Sequence, residues 1–152
     1  MTPSEFAALR ELVKSDEGLR LFVYDDANGL PLKSGATLHG KATIGYGRNL
    51  LDAGISAAEA DDLLDNDLQT TVAALTRVHP VIMGLDPVRM IVLCDLAFNL
   101  GVAGIGGFHQ LWDAIDRNDW SGAKASILDS AAARALPARY QRLATAMETA
   151  TL

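Results

Sequence analysis

Asp16-Glu17-Gly18-Leu19-Arg20-Leu21 leads into Tyr24 and Asp26, and Thr43-Ile44-Gly45-Tyr46-Gly47 follows after a polar, glycine-rich interval. Upstream, Phe6, Leu9 and Val13 recur at helical spacing and Ser4 can cap the helix they define. Gly18 stops that helix, so Glu17 lies in its last turn. Leu19, Leu21 and Val23 alternate with Arg20, Phe22 and Tyr24, the period of a strand with one side buried. Asp26 therefore arrives on a second backbone element, nine residues after Glu17.

The interval beyond it reads as a small β lobe over residues 19–50. Asn28-Gly29 and Gly35 mark turns, and Gly40 precedes a second short strand around Ala42 to Tyr46. After residue 50 the pattern turns helical. Ser56 and Glu59 form a capping box, opening a long helix through Leu64, Leu68, Val72 and Leu75 that His79-Pro80 ends. Asp86-Pro87 places a cap and a first-turn proline before an almost wholly apolar helix from Val88 to Leu100, the pattern of a buried central helix. Gly104, Gly106 and Gly107 read as a loose connection to a helix near Phe108-Trp112. Further helices fall around Trp120-Leu128 and Pro137-Met147. The expected fold is α+β, one domain over residues 1–152, with helix 4–17 joined to the helical lobe of 56–152.

Composition narrows the function classes. The 152 residues are 49% hydrophobic and 21% charged, a globular balance. A net charge of -6 argues against nucleic acid as a partner, which needs a basic face. Asp52, Glu59, Asp61, Asp62, Asp65 and Asp67 cluster with no intervening Lys or Arg and read as a solvated helix face. No apolar run approaches the roughly 20 residues of a bilayer span, so no stable membrane association is expected. Met1-Thr2-Pro3-Ser4-Glu5 lacks the start of a secretory signal. Cys94 stands alone in an apolar run and reads as a buried structural thiol.

Two carboxylates on different elements can hold different protonation states, which is what glycoside hydrolysis asks of them. For Glu17, the partial negative charge at the helix's carbonyl end disfavours an ionised carboxylate, and burial in a cleft would act in the same direction. The plainer reading is a surface glutamate paired with Arg20 or Lys14. For Asp26 it is a turn aspartate binding backbone amides. A calcium loop fails, because Tyr24 and Gly35 stand where oxygen ligands would be needed. Thr43 suits a strand, with a hydroxyl free to orient water. His39, His79 and His109 share no metal-ligand spacing, so no metal is expected.

Together these residues resemble the phage-type lysozymes of glycoside hydrolase family 24. Leu96-Ala97-Phe98-Asn99-Leu100-Gly101 and Gly107-Phe108 extend the likeness from about Phe6 to Met147. The resemblance implies a lysozyme-like fold and a muramidase, cleaving the β-1,4 bond between N-acetylmuramic acid and N-acetylglucosamine in bacterial peptidoglycan. It implies Glu17 as general acid, Asp26 as the residue holding water or steadying positive charge on the sugar, and Thr43 as a positioner of that water. Arg139 matches an arginine that relatives place beside the catalytic glutamate. Phe98 matches a residue lining the saccharide groove, although a core aromatic is the commoner role at such a place. No cofactor is implied, and a monomer is expected. The setting it suggests is an endolysin held in the host cytoplasm until a holin releases it to the wall. A tail-associated lysozyme, a lytic transglycosylase and a silent wall-binding virion module are the alternatives. The sequence departs from the family in three ways: a longer interval between Asp26 and Thr43, small residues over Ala131 to Ala135, and an acidic balance.

Overall fold

A computed structural model describes residues 1–152. The chain divides into two compact units, Met1–Ala60 and Asp61–Leu152. The α+β expectation holds, with eight α-helices and one three-stranded antiparallel sheet.

The first unit opens with α1, Pro3–Glu17. Its cap is Thr2 rather than the expected Ser4: Thr2 accepts from Glu5 N–H, and the Glu5 carboxylate answers the Thr2 amide, a complete capping box. Pro3 takes the first helical position, where its missing N–H leaves nothing unpaired, and this shifts the start forward. The sheet runs β1 (Arg20–Asp25), β2 (Ala42–Gly45) and β3 (Arg48–Asn49), in that spatial order. Tyr24 faces Thr43 and Asp25 faces Ala42, with an irregularity between Arg20 and Tyr24.

The expected buried side of β1 is absent. Leu21 and Phe22 are 73% and 81% exposed, and the only fully buried side chain of the strand is the Asp25 carboxylate. The long interval also does more than enlarge a hairpin. Asp25 N–H donates to Leu30 O and Leu32 N–H to Val23 O, so residues 30–32 lie along the free edge of β1. That covering removes an open edge. Arg20 secures it, donating to Gly29 O at 2.7 Å while its guanidinium lies 4.3 Å from the Tyr24 ring centre.

α2, Ala57–Val78, starts at the expected capping box: Glu59 N–H donates to Ser56 Oγ, and Ser56 N–H donates to Glu59 Oε2. Of its expected apolar face only Leu75 is buried. A 3-10 turn, Pro80–Gly84, follows the expected stop. Asp86 then caps α3, Pro87–Leu100, accepting from Val88 and Arg89 N–H. α3 is the centre of the second unit, but not on every side: Val92, Leu93, Leu96 and Ala97 are buried, while Ile91 and Phe98 are exposed. Cys94 is half-buried, and desolvation pushes its thiol up.

The expected loose connection coils into a short helix, α4 (Val102–Gly106). α5 (His109–Asp116), α6 (Trp120–Leu128), α7 (Ala131–Ala135) and α8 (Pro137–Thr149) complete the unit. Arg89 locks the ends of α3 and α8 together. Its Nε and Nη2 donate to the carbonyls of Met147 and Glu148, last-turn groups that α8 cannot satisfy itself. The same guanidinium pairs with Asp86 at 2.7 Å and covers the Trp120 ring at 3.9 Å.

Candidate active site

Glu17, Asp26 and Thr43 all belong to the first unit and come from three elements: the last residue of α1, the residue after β1, and the middle strand β2. Glu17 is exposed, with its carboxylate against the turn between β2 and β3. A Cβ added at Gly47 would stand 3.2 Å from Glu17 Oε2, and Gly47 has φ +82°. The positive φ favours glycine there, because an L side chain would strain the backbone, and a Cβ would press the carboxylate aside by a few tenths of an ångström. Neither Arg20 nor Lys14 pairs with Glu17: Arg20 is held at Gly29, and Lys14 binds Glu11 at 3.1 Å.

Asp26 is exposed and bonded to Lys41 on both sides of one residue. Its N–H donates to Lys41 O at 3.1 Å, and its Oδ1 accepts Lys41 N–H at 2.5 Å. Oδ2 carries no protein bond and is free to meet water. Thr43 is buried, and its hydroxyl donates to the same Lys41 carbonyl at 3.2 Å. The expectation of a free hydroxyl is corrected to that extent. Its proton is committed, and only its oxygen lone pairs can receive a bond from water.

The other role open to Asp26, a turn aspartate gathering several backbone amides, is filled by its neighbour, while Asp26 itself accepts the Lys41 amide alone. Asp25 is 1% exposed and accepts from Ala27 N–H (3.0 Å), His39 N–H (2.7 Å) and Gly40 N–H (2.9 Å), with Asn28 Nδ2 at 3.4 Å. The His39 amide foremost, then those of Ala27 and Gly40, outweighs burial and holds the Asp25 carboxyl below its ordinary range. Sequence reasoning passed over Asp25. The available signal was a second carboxylate at the strand end facing a glycine, Gly40, across the interval.

The remaining candidates lie in the second unit. Phe98 is 42% exposed and lines a groove of about 500 Å³ with Leu64, Leu68, Val72 and Ile91, so it is not a core aromatic. Arg139 lines the same groove and donates from Nε and Nη2 to Asp95 Oδ1, at 3.1 and 2.8 Å. No group of His, Cys, Asp and Glu in the structure is arranged to hold a metal ion. No helix is long and apolar enough to cross a membrane.

The pre-baseplate central spike protein Gp5 of Enterobacteria phage T4 is 28% identical over 140 residues, covering 81% of this chain. That match spans only 24% of the spike protein's own length. Two proteins of Dictyostelium discoideum named probable T4-type lysozyme 1 and 2 are 21% and 23% identical, each match covering 96% of both chains. The phage lysozyme family model matches residues 14–142, a stretch that contains Glu17, Asp26, Thr43, Phe98 and Arg139. This chain belongs to the phage lysozyme family.

Proposed function

We propose that the protein is a muramidase that hydrolyses the β-1,4 bond between N-acetylmuramic acid and N-acetylglucosamine in bacterial peptidoglycan. The observation that supports this most directly is the trio in the first unit: an exposed carboxylate at a helix end, and a second carboxylate and a hydroxyl both bonded to Lys41, the one at its N–H and the other at its carbonyl. Glu17 delivers its proton to the glycosidic oxygen as the leaving sugar departs. Asp26, with Oδ2 open to solvent, takes one proton of the attacking water, and Thr43 Oγ1 accepts a hydrogen bond from the O–H that stays on the sugar. Attack from the face opposite the leaving group inverts the anomeric carbon, which calls for carboxyl groups roughly 6.5–9.5 Å apart. The groove bearing Phe98 and Arg139 is suited to carry sugar rings. The reaction uses no metal or organic cofactor, and the protein acts as a monomer.

Digestion of purified peptidoglycan, followed by mass spectrometry of the new ends, tests the reading. Reducing N-acetylmuramic acid ends support hydrolysis. Anhydromuramic ends instead make the protein a lytic transglycosylase. Glu17→Gln is expected to abolish wall clearing with its melting behaviour nearly unchanged, and clearing by that variant removes Glu17 as the general acid.

The working setting we favour is an endolysin that a holin releases to the wall. The likeness to a segment of a phage spike protein favours a second setting, carriage on the virion tail. Presence of the polypeptide in purified particles decides for the tail; its restriction to the soluble lysate decides for the endolysin.

A further inference from the structure

We propose that Asp25 is a positioning residue that fixes Asp26 for catalysis by closing the base of the 27–40 segment. The inference rests on the reading of Asp26 as the residue that receives the attacking water. It adds a residue to which the reaction itself assigns no task.

The donors gathered by Asp25 come from the two ends of one excursion: Ala27 and Asn28 where the chain leaves β1, His39 and Gly40 where it returns. Two fall on Oδ1 and two on Oδ2. An ionised carboxylate is acceptor-only and can receive all four, whereas an asparagine would turn two of its own donors toward His39 and Asn28. The main chain of Asp25 adds to the knot, donating to Leu30 O and accepting from Gly29 N–H at 2.8 Å. Burial of the Asp25 carboxylate strengthens these bonds and makes their loss expensive, since the carboxylate itself would be left without partners.

The consequence falls one residue away on each side. Gly40 and Lys41 are consecutive, as are Asp25 and Asp26, so the bond from Gly40 N–H to Asp25 sets where Lys41 N–H meets Asp26 Oδ1. Gly40 is held so closely that an added Cβ would overlap Asp26 Oδ1 and stand 2.8 Å from Ala27 N. Lys41 O in turn receives both Asp26 N–H and the Thr43 hydroxyl. Loosening Asp25 therefore lets Asp26 move relative to Thr43 without altering either side chain.

The test is a cycle of Asp25→Asn, Asp26→Asn and the double variant, with kcat and KM measured on soluble glycan fragments of peptidoglycan. Asp25→Asn is expected to lower kcat by about 10–100-fold with KM little changed, the scale of a misplacement near 1 Å. It is also expected to speed amide exchange at His39 and Gly40. In the Asp26→Asn background the same substitution should lower kcat no further, because its effect passes through Asp26. A merely structural role would lower activity equally in both backgrounds and overturn the proposal. Wild-type kcat in Asp25→Asn beside a strongly slowed but still measurable Asp26→Asn would also overturn it, while leaving the reading of Asp26 intact. Wild-type kcat in Asp26→Asn removes that reading and this proposal together. If Asp25→Asn does not fold, Gly40→Ala decides: it drives a Cβ onto Asp26 Oδ1, and wild-type kcat in it would show that Asp26 needs no such seat.

Discussion

Asp26 and Thr43 meet on one peptide group: the Lys41 carbonyl accepts the Asp26 amide at 3.1 Å and the Thr43 hydroxyl at 3.2 Å. The two lie seventeen positions apart in sequence. Antiparallel pairing brings them together, since Tyr24 stands opposite Thr43 and Asp25 opposite Ala42. A water held between Asp26 and Thr43 would thus be held by one rigid register.

Thr43→Val tests the hydroxyl without changing the shape of the strand. The Lys41 carbonyl keeps its bond from Asp26, so unfolding stability should fall by only about 1 kcal/mol, the value of one neutral hydrogen bond. Loss of a water-orienting group should reduce kcat by roughly 10–100-fold, within the range of positioning effects. Urea unfolding and steady-state turnover separate the two quantities. Parallel small changes in both would make Thr43 a structural residue.

Gly47→Ala should act on Glu17 from outside its own element. The left-handed φ of +82° makes a side chain unfavourable by about 1–2 kcal/mol. The new Cβ would also crowd Glu17 Oε2 at 3.2 Å. Activity should therefore fall by more than the loss of folded protein explains at a temperature where the variant is fully native. Gly54→Ala is the matched control, with φ +56° and nothing near its Cβ. It should lower stability comparably and leave kcat unchanged.

Capping and stop signals were legible because they are local chemistry. Ser56 with Glu59, Asp86 before Pro87, and Gly18 after Glu17 each act within four residues, and each appears where the sequence places it. Long-range choices were not legible. Asp25 and Asp26 are chemically identical neighbours, and only the return of His39 and Gly40 decides that the first is buried among amides while the second faces solvent. The cap of α1 is the exception among the local signals: Thr2 takes it rather than Ser4, with Pro3 at the first helical position. α4 and α7 have five residues each, too few to show a helical period, and β3 has two. Alternation on β1 was real, yet periodicity indicates which residues share a side and not whether anything covers that side.

Arg89→Leu should be among the most damaging single changes outside the site. It keeps much of the stem's bulk but leaves the Met147 and Glu148 carbonyls and Asp86 Oδ2 without their partner. A hydrogen bond to a charged group is worth about 1.5–3 kcal/mol; the three lost here are only part-buried and water replaces some of them, so a total loss of about 3 kcal/mol is expected in urea unfolding. Replacement of the more exposed Asp95, in Asp95→Asn, should change stability by less than about 1 kcal/mol, as surface ion pairs do.

Acid should weaken the fold in two stages with different causes. Asp25 is held below its ordinary carboxylate range, so its contribution is complete above the unfolded value of 3.8. That contribution disappears as pH falls through the lower folded value. His79 acts at milder acidity. Its ring stacks on Trp112 at 3.7 Å, and Nε2 is buried without a hydrogen-bond partner. Desolvation lowers its affinity for a proton, and the opposing pull of Asp116 does not restore it. The unfolded chain, with an ordinary histidine of 6.5, therefore takes up a proton that the folded chain refuses. The stability that the neutral His79 contributes is whole above that pH and declines as the pH falls from there through the folded value. His79→Phe preserves an aromatic stack and removes the buried nitrogen. Its melting temperature should therefore depend less on pH between about 5 and 7 than that of the unmodified protein, where only histidine ordinarily titrates. Equal slopes in that window for the two proteins would mean that the buried nitrogen is not the group taking up the proton.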